Sequence, residues 1–494
     1  MTSIGSPSPF FFGGKKAYAV ERSLRFDDDQ SSPTRLTRTV QSGGNAKKFT
    51  VSFWVKRSQL GNTSYSNSAG NSGQDILHSA GAANRGVIKF TSADKIQFTQ
   101  GSSSGSAGNI STTSVFRDVS AWYHICVVAD YANSTTADRG KIFVNGVRQE
   151  VSTTTNFLDA NGKLNTNQIH EIGFNEYAQG YTGSSWWSNF FCGYMAEFYF
   201  IDDQAYDPSY FTETNVTTGQ LVPKEYTGSF GTTGWYLNFS DNSGTTATTL
   251  GKDSSSNSNN WTPNNFSVSA GVGNDSVTDT PTNNFATLNP LSLIAAGGTF
   301  SNGNLDFTAD GNYATRTGNI SLKTGKWYWE VIITNFHIGN YGIVQGTHPN
   351  GNIYPGYDTN GNVKGIGWYG GSGGLLYGAV PDGATNGATI GAGNTALSAY
   401  TTNDVLGFAS DIANGTLAFY KNGSLEYTLT GIGSHDWFPA VSEYGTNGTA
   451  TINFGQLKAD STSYSDANGH GNFKYSVPSG FLAMCTANLP DPTI

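Results

Sequence analysis

The sequence predicts an all-β protein in which two antiparallel β-sandwich, or jelly-roll, domains are joined by a polar connector. Of its 494 residues, 62 are glycine, 13% are aromatic and 13% are charged, a composition typical of short aromatic-rich strands between many tight turns. Two Asn-Gly pairs, Asn145-Gly146 and Asn422-Gly423, each lie between strand-like runs and predict β-hairpins. A polar stretch, residues 241–284, leaves a strand-rich region of about 200 residues on either side.

The first strand-rich region, residues 17–240, contains a series of strand signals. Phe49–Arg57 alternates apolar and polar residues, which indicates a half-buried antiparallel strand. Trp122–Asp130 is apolar on both faces, as in a central strand, and Phe190–Asp202 is also predicted to be a buried strand. Asp207-Pro208 offers a helix N-cap followed by proline at the first helical position, so a single helical turn is expected there.

These segments, taken in order, resemble the laminin-G/concanavalin A-like jelly-roll domain. The resemblance covers about Tyr18 to Asp241 and rests on SLRF, FTVSFWVKR, AWYHICVVAD, IFVNGV, HEIGFNEY and FFCGYMAEFYFIDDQAYDPSYF. It implies a β-sandwich with a lectin-like fold, and it says little about the ligand.

The connector, residues 241–284, follows what is expected to be the last strand of the first domain, Trp235–Phe239. It consists almost entirely of Ser, Thr, Asn, Asp and Gly, so it is predicted to run over the domain surfaces and to separate two independently folding units. GWYLNFSDNSGTTATTLGKDSSSNSNNWTPNNFSVSAGVGNDSVTDTPTNN is similar to a connector that recurs in virion proteins of marine bacteriophages, behind this kind of lectin-like domain.

The second strand-rich region, residues 285–494, contains a strand in Ser321–Thr334 with Trp327, Trp329 and Val331 on one face. The order GKWYWEV, YGIVQG, GWYG, DVLGFASDI, LAFYKNG, WFPAVS and INFG resembles the SPRY domain. That family is a bent β-sandwich whose edge loops recognise partners. The loop over residues 348–393 is long and rich in Gly and Tyr, so the family's binding surface does not map onto this chain by position.

Residues 1–16 precede the first convincing strand and form an arm with Phe10, Phe11 and Phe12 between glycines and prolines. We expect these phenylalanines to anchor the chain in a virion by ordering on a larger assembly. The alternative is a disordered tail.

Several classes of function have little support in the sequence. The net charge is −9, without an extended basic cluster, so no nucleic-acid partner is expected. No apolar run is long enough for a membrane span, and no membrane insertion or secretion signal is expected. The cysteines Cys126, Cys192 and Cys485 are too scattered for a disulfide framework or a zinc site and are expected to be small buried hydrophobes.

Enzymatic activity is not expected. Some concanavalin A-like glucanases carry a Glu-x-Asp-x-x-Glu strand, in which paired carboxylates act as nucleophile and acid. This chain has Glu171 and Glu176 at the outer positions but Gly173 at the middle one, so these glutamates are predicted to lie at the surface or at a hairpin end. No metal or cofactor is expected, since the acidic clusters at residues 27–29 and 202–203 are better interpreted as solvated turns than as calcium ligands.

Aromatic residues within polar, Gly-rich loops are the candidate binding residues, because flat rings beside polar groups suit sugar faces or rigid protein contacts. They fall into two groups, and the alternative is that they are ordinary core residues at strand ends. The first group is Tyr177, Tyr181, Trp186 and Trp187, and the second is Tyr354, Tyr357, Trp368, Tyr369 and Tyr377.

The sequence therefore predicts a non-enzymatic phage virion protein, a tail-fibre or surface-appendage adhesin that binds a host cell-surface glycan or protein. Its other partners would be virion proteins and further copies of itself, with a trimer as one option, although no heptads are present. The alternatives are a capsid or tail decoration subunit with a purely architectural role and, from another class, a polysaccharide-degrading enzyme.

Overall fold

The computed structural model describes most of the chain. The described residues are 18–27, 32–41, 43–61, 73–79, 84–102, 108–155, 157, 162–175, 189–292, 297–311, 314–346, 353–358, 365–370, 375–378, 388–389, 397–433, 435–458 and 460–490. Their regular structure is β-strand, with three single 3-10 turns at Thr136–Asp138, Pro208–Tyr210 and Thr486–Asn488. None of the described helices is long and apolar enough to cross a membrane. The protein is all-β, as predicted.

The first sandwich consists of two antiparallel sheets, A and B. Sheet A has the order β10-β9-β8-β3-β13-β1-β18, with β16 also pairing β13. Its strands are β1 Ser23–Phe26, β3 Lys48–Arg57, β8 Tyr123–Asp130, β9 Gly140–Val144, β10 Val147–Arg148, β13 Gly193–Asp202, β16 Trp235–Leu237 and β18 Ser276–Val277. Sheet B has the order β11-β7-β6-β5-β4-β12-β2-β17. Its strands are β2 Arg35–Thr39, β4 Gly73–Ser79, β5 Asn84–Thr91, β6 Ile96–Ser102, β7 Gly108–Thr112, β11 Val151–Thr155, β12 Ile169–Ile172 and β17 Thr262–Asn264. β14 Thr212–Thr214 and β15 Leu221–Pro223 form a separate pair.

The core of this sandwich lies between the two sheets. Phe49 of β3 packs against Phe98 of β6, with ring centroids 6.1 Å apart. The predicted half-buried character of β3 is wrong, because its other face is covered too: Trp54 is 5% exposed and Lys56 is fully buried. The predicted Asn145-Gly146 hairpin is confirmed, with both residues at positive φ between β9 and β10.

The second sandwich also consists of two sheets, C and D. Sheet C has the order β19-β20-β33-β22-β29-β30-β31, and β34 pairs β22 in parallel. Its strands are β19 Thr299–Ser301, β20 Asp306–Asp310, β22 Lys326–Asn335, β29 Val405–Asp411, β30 Thr416–Lys421, β31 Ser424–Thr430, β33 Thr446–Asn453 and β34 Leu482–Ala483. Sheet D has the order β21-β32-β23-β26-β27-β28. Its strands are β21 Ala314–Thr317, β23 Ile338–Gln345, β26 Gly365–Tyr369, β27 Leu375–Gly378, β28 Ala388–Thr389 and β32 Trp437–Tyr444. β24 Ile353–Tyr354 and β25 Tyr357–Asp358 form a short hairpin.

The predicted strand around Trp327 is confirmed as β22, and its alternate residues Trp329 and Val331 lie in the core between sheets C and D. The predicted loop over residues 348–393 is not a single loop, since its described parts contain β24 to β28. Pairing of β26 with β23 draws part of this segment into sheet D.

The connector differs from its predicted surface path. Its β17 pairs β2 of sheet B and its β18 pairs β1 of sheet A. Trp261 is 1% exposed and packs edge-on against Trp235 in the first core, at 4.8 Å between centroids. A few large apolar residues, among many polar ones that form turns, are enough to tie the segment into both sheets. Whether the chain divides at the boundaries predicted above stays a prediction.

The connector also lines a polar seam between the two sandwiches. Arg25 of β1 pairs with Asp275 at 3.2 Å and donates to the backbone oxygen of Asn302. The Tyr194 hydroxyl of β13 donates to Gly303 O at 2.7 Å. Gly303 has φ +66°, and a Cβ there would clash with the Tyr194 ring, so only glycine fits this close approach. The two sandwiches therefore meet through buried hydrogen bonds.

Candidate functional site

The outer face of sheet B carries ionisable side chains from neighbouring strands. Glu171 of β12 is fully buried and lies 3.9 Å from both Arg35 Nε and His78 Nδ1. The predicted surface placement of Glu171 is therefore wrong. The side chain is in the middle of the sheet, where β12 pairs with both β2 and β4. Glu176, the second glutamate of the glucanase-like spacing, lies outside the described residues.

Gly173 explains why the middle acid of that spacing is missing. Its φ is +84°, and a Cβ at this position would clash with the ring of Phe26. Its N–H donates to Ile76 O at 3.0 Å, and its carbonyl accepts from Phe191 N at 2.9 Å. An aspartate here would strain the backbone and displace a core ring, so the fold selects against the catalytic arrangement.

Strand β4 of sheet B anchors the two ends of the first predicted aromatic segment. Asp75 of β4 accepts hydrogen bonds from Asn175 Nδ2 and Asn189 Nδ2, both at 3.2 Å. Just below, Phe174 and Phe190 pack with ring centroids 5.1 Å apart. The four predicted binding residues between these anchors, Tyr177, Tyr181, Trp186 and Trp187, lie outside the described residues. Their role stays a prediction.

On the second sandwich, the structure brings two predicted residues together. Tyr354 of β24 and Tyr369 of β26 lie nearly parallel, at 21° and 6.1 Å between centroids, and both are half-buried. Tyr369 sits opposite Asn340 of β23 in sheet D. The Asn340 side-chain amide donates to Pro355 O at 2.9 Å, which fixes the β24–β25 hairpin against the outer face of the sheet.

Glycines form the floor under this hairpin. A Cβ on Gly365 would lie 2.7 Å from Gly356 N, and a Cβ on Gly367 would clash with Asn340 Oδ1. Any larger residue would therefore push the hairpin away from sheet D. The glycines and Asn340 together set the position of Tyr354 relative to Tyr369, which makes the tyrosine pair a preformed surface.

Trp368 is a correction to the predicted binding residues. It is fully buried and points into the core, where it packs edge-on against Tyr400 and Phe419 at 5.8 and 6.2 Å. Successive residues of a strand face opposite sides, so only one of Trp368 and Tyr369 can point outward. Tyr357 and Tyr377 have backbones in β25 and β27, and their side chains lie outside the described set.

A buried acid lies behind the tyrosine pair. Glu443 of β32 accepts a hydrogen bond at Oε1 from the Tyr341 hydroxyl. Its Oε2 is buried without a hydrogen-bond partner among the described residues. Burial raises the pKa of Glu443 to about 8, and the Tyr341 hydrogen bond only partly offsets this. Glu443 lies on β32, the strand next to β23, which carries Asn340 opposite Tyr369. The sheet that carries the tyrosine pair therefore also contains a carboxyl group whose raised pKa favours the protonated form.

Metal binding finds no support in the described part of the chain, which contains no group of three or more His, Cys, Asp or Glu side chains placed to hold an ion. Asp202, one of the acidic residues considered for calcium, instead accepts from the backbone N–H groups of Asn45, Thr232 and Thr233 at 2.8 to 3.3 Å. The expected solvated turn is wrong for Asp202, which is 5% exposed and organises three chain segments. The three cysteines are buried, as predicted.

Sequence reasoning missed Asp75, Asn340 and Glu443. Each is a single polar residue within or beside an apolar strand, and no spacing links it to the distant segments that it holds. An isolated polar residue at a buried strand position was the available signal, since such a group needs a partner.

Comparison with known proteins found one matching family model and several solved structures that are similar to parts of this chain. Residues 28–205 match a laminin-G family model described as the concanavalin A-like lectin/glucanases superfamily. No curated protein matches the chain. The SPRY domain of human HERC1 is similar to 33% of this chain and 96% of its own, at 17% identity and a TM-score of 0.26. The heptameric SAP-like pentraxin of Limulus polyphemus is similar over 38% of this chain and 80% of its own, with 14% identity and a TM-score of 0.27. The TRIM65 PSpry domain is similar over 34% of this chain and 91% of its own, with 17% identity and a TM-score of 0.27. The family model that matches residues 28–205 describes a lectin-like fold, which is compatible with carbohydrate or protein binding.

Proposed function

We propose that the chain is a non-enzymatic adhesin of a phage virion, part of a tail fibre or another surface appendage, which binds a host cell-surface glycan or protein. The observation that carries this proposal is the Tyr354–Tyr369 pair, which is half-exposed and held in fixed geometry on the outer face of sheet D. Tyrosine supplies rigid apolar area together with a hydroxyl, and few of its torsions are lost on binding.

The proposal invokes no catalysis and no cofactor. Gly173 stands where a glucanase would need its middle carboxylate, and Glu171 is buried among charged neighbours. A surface that binds without chemistry requires shape and hydrogen-bonding groups, which the tyrosine pair and the Asn340-anchored hairpin supply.

The virion location and the partners are proposed from the resemblance of the connector to those of phage virion proteins. We propose that the arm of residues 1–16, with Phe10, Phe11 and Phe12, attaches the chain to other virion proteins, and that the protein acts as a homo-oligomer. The first described residues lie against sheet A, because the Tyr18 hydroxyl donates to buried Glu197 of β13 at 2.7 Å.

The binding test uses the purified full-length protein on intact bacterial cells and on an array of bacterial surface polysaccharides. Tyr369→Ala and Tyr354→Ala are each expected to weaken binding by roughly 30-fold, the equivalent of about 2 kcal/mol for a central aromatic contact. Tyr464→Ala is the matched control, since Tyr464 is a 43% exposed tyrosine away from this hairpin. Unchanged binding in both test variants would contradict the adhesive role of this surface.

The architectural alternative also has a specific observation in its favour. The buried seam at Arg25 and Tyr194 joins the two sandwiches without a long unstructured linker, as suits a subunit that transmits load. If the wild-type protein binds no cells while its removal destabilises particles, a decoration or adaptor role replaces the adhesive one.

A further inference from the structure

The seam contains a lysine in an unusual set of contacts. Lys56 projects from the outer face of β3 and is fully buried. Its Nζ lies 2.8 Å from Asp279 Oδ2, 2.7 Å from Asn284 Oδ1 and 2.9 Å from Phe285 O. A buried amine thus meets a carboxylate and a side-chain amide at once, where the connector enters the second sandwich.

Both partners of the lysine are held in place by other groups. Asp279 Oδ1 accepts from Trp122 Nε1 at 3.0 Å and from Phe285 N at 3.3 Å, so Oδ2 faces the lysine. The Asn284 amide nitrogen donates to Ser120 O at 2.8 Å, which turns the amide oxygen toward Nζ. The three reacting groups therefore need little further ordering, and such proximity is worth many orders of magnitude in effective concentration.

The side chains around the lysine are largely apolar. The Tyr194 ring centre is 5.7 Å from Nζ, and Trp54, Trp122 and Val277 form the buried cluster around it. Once it has given up a proton, a lysine amine is a nucleophile, and its target here, Asn284, is half-buried.

We propose that Lys56 and Asn284 form an intramolecular isopeptide bond, with Asp279 as the catalytic acid and base. Asp279 takes a proton from the Lys56 ammonium, and the freed amine attacks Cγ of Asn284. The Nζ–Cγ bond forms and the Cγ–Nδ2 bond breaks as Asp279 transfers lysine protons to the departing nitrogen. One ammonium ion leaves, the carboxylate is regenerated, and no oxidant or reductant is needed.

A second lysine cluster shows what the reaction site requires. Lys421 Nζ lies 3.2 Å from Asp404, beside Asn422, but the Lys421 side chain is 22% exposed. The Asn422 side-chain oxygen accepts from Val405 N at 2.9 Å, and its nitrogen donates to Asp404. This asparagine offers no carbonyl group to the lysine, so Lys421 serves as an internal control that stays unmodified.

The bond would join strand β3 to a residue 228 positions later in the chain. It would make the seam covalent and fix the first sandwich to the start of the second. Force applied to either sandwich would then pass through the crosslink rather than through the hydrogen bonds of the connector.

Mass spectrometry of the purified wild-type chain under denaturing conditions tests the proposal. The expected mass is about 17 Da below that of the sequence, since one molecule of ammonia is lost. A tryptic digest should contain a branched peptide that joins Lys56 to Asn284, with no cleavage after Lys56. The branched peptide is needed because succinimide formation at an asparagine produces the same loss of mass.

The masses of single-residue variants show which side chains take part in the reaction. Lys56→Arg, Asn284→Ala and Asp279→Ala should have the mass of their sequences, whereas Asn283→Ala and Lys421→Arg should keep the loss. Asn284→Asp should lose water, about 18 Da, because hydroxide rather than the amide nitrogen is displaced. A wild-type chain with the mass of its sequence and normal cleavage after Lys56, in protein that unfolds cooperatively, would overturn the proposal and leave Lys56 as a hydrogen-bonded ammonium only.

Discussion

The outer faces of sheets A and C are both covered by other chain segments. Each cover provides hydrogen-bond partners for one buried ionisable side chain, but the two covers use different groups. In each sheet the central strand projects a fully buried ionisable residue outward, Lys56 from β3 and Glu330 from β22. Lys56 is met by the Asp279 side chain of the connector. Glu330 accepts from the backbone N–H groups of Lys474 and Tyr475, at 2.8 and 2.9 Å, in the C-terminal segment.

This difference shows how the composition of a covering segment is constrained. A cover that meets a charge with backbone N–H groups can have almost any side chains at those positions. A cover that meets a cation needs a carboxylate or carbonyl oxygen at a defined point, because a buried charge without a partner is costly. The Asp- and Asn-rich connector is thus fixed more strictly by its side chains than the C-terminal segment is.

Removing the connector segments that cover sheet A should have the largest effect on the stability of the first sandwich. A fragment of residues 17–240 lacks β17, β18 and the core residue Trp261, and it leaves Lys56 without Asp279. We expect it to lose more than the ~3–5 kcal/mol that a single large core truncation costs. A fragment of residues 17–284 should unfold cooperatively. Thermal unfolding followed by circular dichroism compares the two, and equal stability would show that the connector is not part of the first folding unit.

Single substitutions at the two buried ionisable residues should also lower the unfolding free energy by different amounts, with the larger loss at sheet A. Lys56→Ala leaves the buried Asp279 side chain without its Nζ partner and should cost about 3–5 kcal/mol of unfolding free energy. Glu330→Gln turns an amide NH₂ toward one of two backbone N–H groups and should cost about 1–3 kcal/mol. Urea unfolding measures both. A larger cost at Glu330 would reverse the comparison.

The pH dependence should distinguish the buried acids of the second sandwich. Burial raises the pKa of Glu330 to about 7 and that of Glu443 to about 8. The folded state then binds protons more tightly than the unfolded state, so the contribution of each group is fully present below its unfolded pKa and is lost as pH rises toward the folded value.

The measurement is the difference in unfolding free energy between wild type and Glu443→Gln from pH 5 to 9. The variant should gain about 1.4 kcal/mol on wild type for each pH unit up to about pH 8 and nothing above it. For Glu330→Gln the same rise should stop near pH 7. A difference that does not change with pH would mean that Glu443 has an ordinary pKa.

The smallest effect on stability is expected on the outer face of sheet D, at the half-exposed tyrosine pair. Tyr369→Ala should change the unfolding free energy by less than about 1 kcal/mol, while its neighbour Trp368→Ala should cost about 3–5 kcal/mol because Trp368 fills the core. The pair of variants on one strand serves as its own control. A large loss of stability in Tyr369→Ala would place this ring among the structural residues.

The sequence by itself determined the local structure wherever neighbouring residues decide it. The Asn145-Gly146 hairpin, the core face of β22 and the Asp207-capped turn followed from turn chemistry and alternation. These features depend on steric preferences within a few residues, which the sequence displays directly. The all-β class followed from the same signals.

Only the tertiary structure decided which faces are covered and which aromatic residues are exposed. The alternation of residues along the strand showed that Trp368 and Tyr369 face opposite sides, but it did not show which side is the core. The polar composition of the connector gave no sign that Trp261 packs in the first core. Asp75, Asn340, Asp279 and Asn284 act on residues far away in the chain, so their roles depend on which strands become neighbours. Long-range pairing brings these groups within hydrogen-bond distance, and no local preference encodes that pairing.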